Sequence, residues 1–370
     1  MTQNLRVIID ARMVNKHLHG IARYTYEIIK HMSYEDNVEM ILLVNDLEEA
    51  SKIFGQFNNI KFKRMRSKFL SIFEQIELPM IVNKYKNMAI FHSPSFVASP
   101  FIKCKMIMTI HDLNHLKFPQ YYTPFHKYYY KYIVKKCALK SKKILTVSEF
   151  SKEEIFKWIK CDRDKIKVTY NGIDPKFHVI SDAEKLKKIK EKYKLPDRFI
   201  LYIGNLKPHK NVETLVKAMR FIDGKVKLVI NGTINKSISE ILDKFNLLEK
   251  VKFIGYVNED ELPLLYNLAS VFVFPSLYEG FGLPPLEAAV CGCKVIISDI
   301  SSLSEIMSDY GVKVNPLDSK GMAREIKKIL ENSSIDICNK EKETFVQKYS
   351  WNKTSSKTLE IYKEINKEFL

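Results

Sequence analysis

The sequence predicts two α/β domains, each built on a parallel sheet with helices on both faces. Short apolar runs, typical of buried parallel strands, alternate with segments of helical periodicity, and the alternation starts afresh near the middle of the chain. A length of 370 residues suits two domains of ordinary size, and a hydrophobic content of 46% allows each to bury a core. We place the first domain at residues 1–180 and the second at 181–352, with a last helix over 353–370.

The first half begins with Leu5–Asp10, a buried-strand pattern, and a helical pattern follows a loop that ends at Gly20. The remaining expected elements follow in chain order. Strands are expected at 40–44, 89–94, 105–112, 144–148 and 166–170, and helices at 21–32, 46–54, 121–143 and from 149 with Ser151 as N-cap. Residues 60–69 hold five cations, and residues 70–79 form an amphipathic, turn-rich segment.

The second half repeats the pattern after a Lys-rich stretch at 176–196, where we place the domain boundary. Its expected elements again alternate along the chain. Strands are expected at 199–204, 225–232, 251–256, 271–275 and 294–298, and helices at 262–269, 284–291, 301–306, 320–332 and 351–370. Strands that alternate with helices in both halves argue for two doubly wound sheets.

A glycine loop joins the expected strand 271–275 to the helix that follows it. Gly280 and Gly282 have no Cβ to block the close approach of a ligand. Pro284 and Pro285 suit the first turn of a helix, where no partner for the N–H is needed. A strand, a glycine loop and a helix N-terminus in this order predict a place where free backbone N–H groups hold an anionic group.

Two carboxylates, Glu279 and Glu287, stand eight residues apart around this loop. Taken singly, Glu287 reads as a complement to the helix dipole and Glu279 as a solvated loop residue. With the intervening Gly-Phe-Gly-Leu-Pro-Pro-Leu they resemble the E-x7-E signature of retaining nucleotide-sugar glycosyltransferases of family 4. The resemblance implies that Glu279 contacts the donor sugar and Glu287 the ribose hydroxyls. It also implies backbone contacts to the sugar and phosphates from Gly280, Phe281, Gly282 and Leu283.

That family has the GT-B fold, so the resemblance implies two Rossmann-like domains that face each other across a cleft. The first domain would bind the acceptor and the second the nucleotide sugar. The C-terminal helix would cross back to the first domain, and closure of the cleft would exclude water. The segment Asp10-Ala-Arg with Gly20-Ile-Ala-Arg-Tyr also resembles the family, in which the loop at Gly20 approaches the acceptor and the donor phosphates. No G-x-G-x-x-G is present, so a dinucleotide site is not supported.

Lys210 follows the first strand of the second domain, in the sequence Gly-Asn-Leu-Lys-Pro-His-Lys. It is either a solvated loop lysine or, as the resemblance implies, the cation that neutralises the donor diphosphate. Many relatives carry a second cation as Arg where this chain has Asn205, and another subgroup carries it where this chain has His209. Lys207 or Arg23 is the alternative source of that charge. The resemblance and the expected strand ends also place Tyr256 near the base and hexose.

His111 stands at the carboxyl end of an expected strand, the edge at which open α/β sheets bind ligands. A lone histidine there is often only a hydrogen-bonded structural residue. Its position resembles that of the family's cleft histidine beside the donor sugar, and Asp112 would orient it. The resemblance therefore implies a catalytic set of His111, Lys210 and Glu279.

The implied reaction moves a hexosyl group of mannose, rhamnose or glucose type from a nucleotide diphosphate to a hydroxyl of a glycan or lipid-linked acceptor. The anomeric configuration is kept. No cofactor is expected, since the nucleotide sugar is a substrate, and no metal, since the sequence has no D-x-D motif at a strand end. The six cysteines form no C-x-x-C pair and no metal spacing, so they read as free thiols of a cytoplasmic protein. Synthesis of a cell-surface polysaccharide or glycoconjugate is the expected setting.

The net charge of +17 is unevenly distributed. Residues 1–180 hold 30 Lys and Arg against 17 Asp and Glu, whereas the rest of the chain is almost balanced. This excess predicts reversible binding to an anionic membrane through 61–68 and 121–143, where tyrosines and lysines alternate. The alternative is a helix with inward tyrosines and solvated lysines. No apolar run is long enough to span a membrane, and the first residues do not resemble a signal peptide.

Two rival functions remain open at this point. A sugar-nucleotide epimerase of GT-B fold would share the donor residues but change the free sugar nucleotide without an acceptor. A basic nucleic-acid-binding protein would explain the charge, but no helix-turn-helix, RRM or zinc pattern supports it, so nucleic acid is not expected as a partner.

Overall fold

A computed structural model describes residues 5–16, 18, 20–308, 310–331 and 345–369. The chain divides into two compact units, one formed by Met1–Gly172 with Tyr349–Leu370 and the other by Ile173–Lys348. The first unit thus ends at Gly172 and not at residue 180, and it resumes at Tyr349 and not at residue 353. The reason is a close contact: a Cβ on Gly172 would lie 2.2 Å from the backbone nitrogen of Trp351, so the chain leaves and re-enters unit 1 at one point.

Unit 1 is built on a seven-stranded sheet in the order β3-β2-β1-β4-β5-β6-β7, and every pair of neighbours is parallel. Its strands are β1 Leu5–Asp10, β2 Val38–Val44, β3 Ile60–Arg64, β4 Ile90–Ser93, β5 Lys105–Thr109, β6 Lys143–Thr146 and β7 Ile166–Val168. The strands run outward from β1 in both directions, which is the doubly wound arrangement that the sequence predicts.

Unit 2 is built on a six-stranded sheet in the order β10-β9-β8-β11-β12-β13, again parallel throughout. Its strands are β8 Phe199–Tyr202, β9 Lys227–Ile230, β10 Val251–Phe253, β11 Val271–Phe274, β12 Val295–Ser298 and β13 Val312–Val314. The first six strands of unit 1 therefore follow the same order as the six strands of unit 2.

Helices connect most successive strands in both units, and β4 and β5 are joined by a loop. In unit 1 they are α1 Ile21–Met32, α2 Leu47–Phe54, α3 Glu74–Val82, α4 Asn114–Lys117, α5 Pro124–Tyr128, α6 Lys135–Lys140 and α7 Glu149–Ile159, with a π-helical turn Tyr129–Val134 between α5 and α6. In unit 2 they are α8 Ala183–Lys192, α9 Val212–Ala218, α10 Lys236–Lys244, α11 Leu262–Leu268, α12 Leu283–Val290, α13 Ser301–Ile306 and α14 Ser319–Glu331. None of the helices in the described ranges is long and apolar enough to cross a membrane.

The last helix of the described chain, α15 Trp351–Asn366, belongs to unit 1 and packs against α1, β1 and β4. Its inward face carries Trp351, Leu359 and Tyr362, which are all buried. The return of the C-terminal helix to the first domain is therefore confirmed. Five cysteines are free thiols in the structure, and Cys338 lies outside the described residues.

Some local predictions are wrong in detail. Ser148, not Ser151, is the N-cap of α7, because its hydroxyl accepts a hydrogen bond from the Ser151 N–H at 3.0 Å. The basic segment at 60–69 begins with the edge strand β3, in which exposed cations alternate with half-buried Ile60 and Phe62. The turn-rich segment at 70–79 contains most of α3, which tolerates Pro79 in its interior.

Candidate active site

The two central strands of unit 2, β8 and β11, lie side by side, and the chain continues from them toward opposite edges of the sheet. In open α/β sheets ligands bind beyond the carboxyl ends of the strands at such a point. The loop after β8 carries Asn205 and Lys210, and the loop after β11 carries Glu279 and the glycines. The Leu277 N–H donates to the carbonyl oxygen of His209 at 2.8 Å, which joins the two loops.

Lys210 and Glu279 meet at this point as an ion pair, with Nζ 2.5 Å from Oε1. Their side chains are 14% and 13% exposed, so both are shielded yet reachable. Asn211 holds the lysine loop in place, since its Nδ2 donates to the carbonyl oxygens of Pro275 at 3.0 Å and Pro316 at 2.7 Å. An ammonium group has three N–H donors, so the bond to Glu279 leaves Lys210 with donors for an anionic ligand.

His209, beside this lysine, is a neutral group. Burial, together with the charge of Lys210, lowers the pKa of His209 to about 4. At neutral pH it therefore supplies no second positive charge next to the ion pair. Lys207 and Arg23 remain the two candidates for the second cation.

The loop between Glu279 and α12 has a backbone shape that depends on glycine. Gly282 has φ +97°, and a Cβ there would lie 2.4 Å from Cδ2 of Leu303. Ser302 fixes the same loop from the far side, because its hydroxyl donates to the carbonyl oxygens of Glu279 at 2.9 Å and Phe281 at 3.1 Å. Ser302 was not among the predicted site residues, although a serine near the start of a helix is a recognisable signal.

Glu287 lies in the second turn of α12, which begins at Leu283. Its Oε2 accepts a hydrogen bond from the Tyr266 hydroxyl at 3.2 Å. Burial, reinforced by the charge of Glu287, raises the pKa of Tyr266 well above its ordinary value, so the phenol remains a donor. Tyr266 therefore orients the carboxylate, and nothing in the local sequence pattern indicates it.

Asn205 and Tyr256 complete the predicted set at this edge of unit 2, and both are exposed. The Asn205 carbonyl accepts the Tyr202 hydroxyl at 2.8 Å, and its Oδ1 accepts the Lys207 N–H at 3.2 Å. Tyr256, 63% exposed, follows β10 after Gly255. The structure thus brings every predicted residue of the second domain to one edge of one sheet.

The corresponding edge of unit 1 carries Gly20 and His111. Gly20 immediately precedes α1, with φ +52° and open space around it. His111 follows β5, and its Nε2 hydrogen-bonds the Pro94 carbonyl oxygen at 3.0 Å. A carbonyl can only accept, so Nε2 carries the proton, and Nδ1 keeps its lone pair because burial lowers the pKa of His111 to about 4. The ring is therefore a neutral hydrogen-bond acceptor at Nδ1.

A buried polar network lies behind His111. The Tyr24 ring meets the His111 ring edge to face, with 4.8 Å between centroids. Thr109 Oγ1 hydrogen-bonds both the Tyr24 hydroxyl at 3.2 Å and His92 Nε2 at 2.8 Å, and His92 Nδ1 hydrogen-bonds the Tyr362 hydroxyl at 2.5 Å. Burial lowers the pKa of His92 to about 3, so this network too is uncharged. It connects α15 to the packing around His111.

Asp112 stabilises the start of the helix that follows His111. Its Oδ1 accepts the N–H of Asn114 at 2.9 Å, which fixes the start of α4. The Pro94 carbonyl oxygen and the Tyr24 ring both contact the His111 ring and help to orient it.

A buried charge cluster at the end of β1 was not predicted. Arg12 donates to both carboxylate oxygens of Asp10, at 2.9 and 2.7 Å, and to Glu74 Oε2 at 3.1 Å. All three side chains are at most 1% exposed. Burial, aided by the nearby Asp10 and despite the charge of Arg12, raises the pKa of Glu74 to about 7. One arginine thus neutralises Asp10, and Glu74 is protonated in part near pH 7.

Two family models match the chain. Residues 18–177 match Glycosyltransferase Family 4, and residues 183–348 match glycosyl transferases group 1. The O-antigen chain mannosyltransferase B of Escherichia coli is 26% identical over 382 residues, which cover 97% of this chain and all of that protein. Alignments with several other curated relatives cover 60% or less of either partner.

Solved structures with the same fold cover almost the whole chain. The Anabaena protein HepE in complex with UDP and glucose has a TM-score of 0.76 at 15% identity, with 97% of this chain and 100% of that chain covered. A glycosyltransferase from Rickettsia africae has a TM-score of 0.75 at 23% identity, with 99% of both chains covered. At these identities the likeness shows the fold alone, which is GT-B. The chain therefore belongs to the glycosyltransferases of GT-B fold, with a family 4 domain followed by a group 1 domain.

Proposed function

We propose that the protein is a retaining hexosyltransferase that uses a nucleotide-diphosphate sugar as donor and a hydroxyl of a glycan or lipid-linked molecule as acceptor. The observation that carries the proposal is the ion pair of Lys210 and Glu279 between β8 and β11, next to the glycine loop that leads into α12. It combines a cation for a diphosphate with backbone N–H groups at a helix start and a carboxylate for sugar hydroxyls.

In this reaction the bond between the anomeric carbon and the diphosphate oxygen breaks, and a bond from the same carbon to the acceptor oxygen forms. The acceptor's proton passes to the leaving diphosphate on the same face of the sugar. Negative charge collects on the diphosphate as its bond breaks. Lys210 and the amides of Gly280–Leu283 are held in place before the reaction, so they stabilise that charge without reorganising, typically by several kcal/mol.

Other residues of unit 2 position the donor. Glu287, oriented by Tyr266, accepts hydrogen bonds from the ribose hydroxyls, and Glu279 accepts them from the hexose. Asn205 and Tyr256 contact the nucleotide side of the donor from the neighbouring loops. Because His209 is neutral, the second cation in this proposal is Lys207 on the same loop, or Arg23 of α1.

In unit 1, His111 accepts a hydrogen bond from a sugar hydroxyl at Nδ1, and the loop at Gly20 approaches the acceptor and the donor phosphates. No cofactor takes part, and Lys210 takes the charge-neutralising role that a divalent metal has in other transferases. Because the E. coli relative is named a mannosyltransferase in O-antigen synthesis, we favour a mannosyl donor and a role in polysaccharide synthesis. The setting we propose is the cytoplasm, with no nucleic-acid partner.

The test starts from the full-length chain and a thermal-shift panel of GDP, UDP and dTDP with their sugars. A ligand at 100 times its dissociation constant stabilises the native state by about 2.7 kcal/mol. The stabilising donor is then incubated with and without candidate acceptors. Transfer that needs an acceptor supports the proposal, whereas conversion of the free sugar nucleotide without one identifies an epimerase.

Variants then test the placement of the donor. Alanine at Lys210, Glu279 or Glu287 is expected to lower kcat/KM by on the order of a hundredfold or more, as loss of other preorganised charge contacts does. The exposed Lys225→Ala on the β9 side serves as the matched control and should leave kcat/KM unchanged. Near wild-type activity of the Lys210 variant with the stabilising donor would show that the diphosphate lies elsewhere.

A further inference from the structure

Helix α3 of unit 1 exposes a row of large apolar side chains. Ile72 and Phe73 precede its first turn, and Ile76 and Met80 follow at the spacing of successive turns on one face. Between 63% and 76% of each residue is exposed. Single exposed apolar residues are ordinary, but four on one short helix mark an interaction surface. We call these four residues the apolar ridge.

The orientation of α3 is fixed by its opposite face. Leu78, Ile81 and Val82 are buried in the core of unit 1. Pro79 has no N–H, so the carbonyl oxygen of Gln75 lacks its helical partner and accepts the Ser99 hydroxyl at 3.0 Å instead. The packing of the opposite face of α3 therefore fixes the outward direction of the apolar ridge.

The charges around the ridge are almost all positive. Residues 50–111 contain ten Lys and Arg and only two acids, Glu74 and Glu77. Glu74 is buried against Arg12, and Glu77 accepts the N–H groups of Arg66 and Ser67 at 2.8 and 2.7 Å. Both carboxylates are thus engaged with the protein. Exposed cations on either side of α3 include Arg66, Lys68 and Lys84.

A neighbouring helix extends this surface. Gln75 Nε2 lies 3.5 Å from the hydroxyl of Tyr129, which links α3 to the π-helical turn. On that turn and the end of α5, Tyr128 and Tyr132 are 62% and 56% exposed, and Lys131 Nζ lies 5.2 Å from the Tyr132 ring. Tyrosine and lysine side chains, with an apolar body and a polar tip, suit the boundary between lipid headgroups and acyl chains.

We propose that the apolar ridge inserts into the headgroup layer of an anionic phospholipid bilayer, while the lysines and arginines around it bind lipid phosphates. The nine residues of α3 rise only about 14 Å, so the helix lies in the interface and does not span the bilayer. A second copy of this chain would place the same cations against one another, whereas anionic lipid removes their repulsion. The inference goes beyond glycosyl transfer and does not depend on it.

This proposal adds an apolar contact that the sequence prediction of membrane binding did not include. The segments 61–68 and 121–143 supply mainly charge and tyrosine, and electrostatic attraction alone is reversible and weakened by salt. Residues 72–80 add apolar area that salt does not screen. Retention on vesicles at high salt therefore separates insertion of the ridge from adsorption by lysines.

The experiment measures partition of the full-length chain onto vesicles of phosphatidylcholine with and without phosphatidylglycerol. The triple variant Phe73→Ser, Ile76→Ser, Met80→Ser should partition at least about tenfold more weakly onto the anionic vesicles, since three buried apolar side chains are lost. The double variant Leu248→Ser, Leu317→Ser changes two equally exposed apolar residues of unit 2 and should partition like the parent chain.

A second measurement reports insertion directly. The Phe73→Trp variant should show fluorescence quenched by brominated acyl chains beyond that of the parent, whereas Leu317→Trp should not. Equal partition of the triple variant and the parent chain would overturn the proposal. It would also be overturned if high salt released both the parent chain and the triple variant completely from the anionic vesicles. A dimer in solution that the triple variant dissolves, with no vesicle binding, would identify a second copy as the occupant and also overturn it.

Discussion

The carboxyl ends of the strands carry different side chains in the two sheets, although the first six strands of each sheet follow one order. In unit 2 the edge holds a shielded but reachable ion pair, Lys210 with Glu279, beside a glycine loop. In unit 1 the edge holds His111, whose pKa of about 4 keeps it neutral, backed by the uncharged network of Tyr24 and His92. Strand order alone therefore does not decide what an edge binds; the side chains at the strand ends do.

The difference matches the two halves of the proposed reaction. The leaving diphosphate gains negative charge, and a fixed cation stabilises that charge most effectively where water is partly excluded. A hexose gains no negative charge, and a neutral acceptor at Nδ1 of His111 can orient a hydroxyl without repelling the developing positive charge at the anomeric carbon. Each edge thus suits one side of the bond that breaks.

The largest expected effect comes from removing the neutral acceptor of unit 1. His111→Ala should slow transfer by about a hundredfold, which corresponds to about 2.7 kcal/mol of transition-state stabilisation. Donor binding by unit 2 should persist, because none of its contacts to the diphosphate is altered. The residual product should keep the donor's anomeric configuration, read from the anomeric couplings in an NMR spectrum.

A matched control and the pH profile sharpen this prediction. His31→Ala, in the last turn of α1, should leave the rate unchanged. With a pKa of about 4, His111 should contribute no titration to the rate of the wild-type enzyme between pH 5 and 8. An inverted linkage, or a titration near pH 6.5 that disappears in His111→Ala, would make His111 a general base and break the comparison.

The next effect concerns the glycine loop of unit 2. Gly282→Ala should destabilise unit 2 by about 1–3 kcal/mol, because φ +97° is strained for alanine and its Cβ would displace Leu303. Gly224→Ala is the control, since nothing lies within 4 Å of a Cβ there, and it should change stability by less than about 0.5 kcal/mol. Thermal unfolding checks both, at about 2–4 °C per kcal/mol for a domain of this size. Equal thermal-unfolding midpoints of the two variants would mean that the loop around residue 282 adapts to the added Cβ without cost.

The last effect, similar in size but confined to a pH window, tests whether the buried Asp10, Arg12 and Glu74 at the end of β1 carry no net charge. The pKa of Glu74 is about 7 in the native state, above its ordinary value of 4.5, so between these values the native chain binds more protons than the unfolded chain. The contribution of Glu74 to stability is therefore full below about pH 4.5 and is lost as pH rises toward 7. Glu74→Gln should remove this loss, roughly 1–3 kcal/mol across the window, and flatten the decline.

The exposed Glu48→Gln serves as control for that measurement and should decline like the parent chain. The free energy of unfolding is followed by denaturant titration at several pH values. Should Glu74→Gln keep the parent's full decline, Glu74 is ionised in the native state, and the end of β1 carries a net negative charge.

Sequence patterns predicted the parts of the fold that depend on local periodicity. The bounds expected for α1, residues 21–32, and the start expected for α13 at Ser301 agree with the structure because apolar spacing and flanking residues mark them. Helix α3 was missed because Pro79 argues against a helix, and only the tertiary contact between Ser99 and Gln75 makes it tolerable. Similarly, α10 and β13 were missed, although the N-cap of α10, Asn235, is a visible signal.

Prediction of the site was limited in the same way, by contacts between residues far apart in sequence. Lys210 and Glu279 were identified separately, but their contact across 69 residues follows only from the pairing of β8 with β11. The supporting roles of Tyr266 and Ser302 come from elements that meet only in the folded unit. The residues proposed to contact the ligand have local sequence signals, whereas the residues that hold them in place have almost none.

The placement of α15 has a consequence for the order of folding during synthesis. Unit 1 has its sheet complete at β7, but the helix that covers α1, β1 and β4 is made only after the whole of unit 2. At about 5–20 residues per second, the ribosome needs roughly 9–35 s for the residues between Gly172 and Tyr349. During that interval Tyr24 and His92 lack the partners that α15 brings, whereas unit 2 is continuous in sequence. Unit 2 is therefore expected to finish folding first, although unit 1 begins the chain.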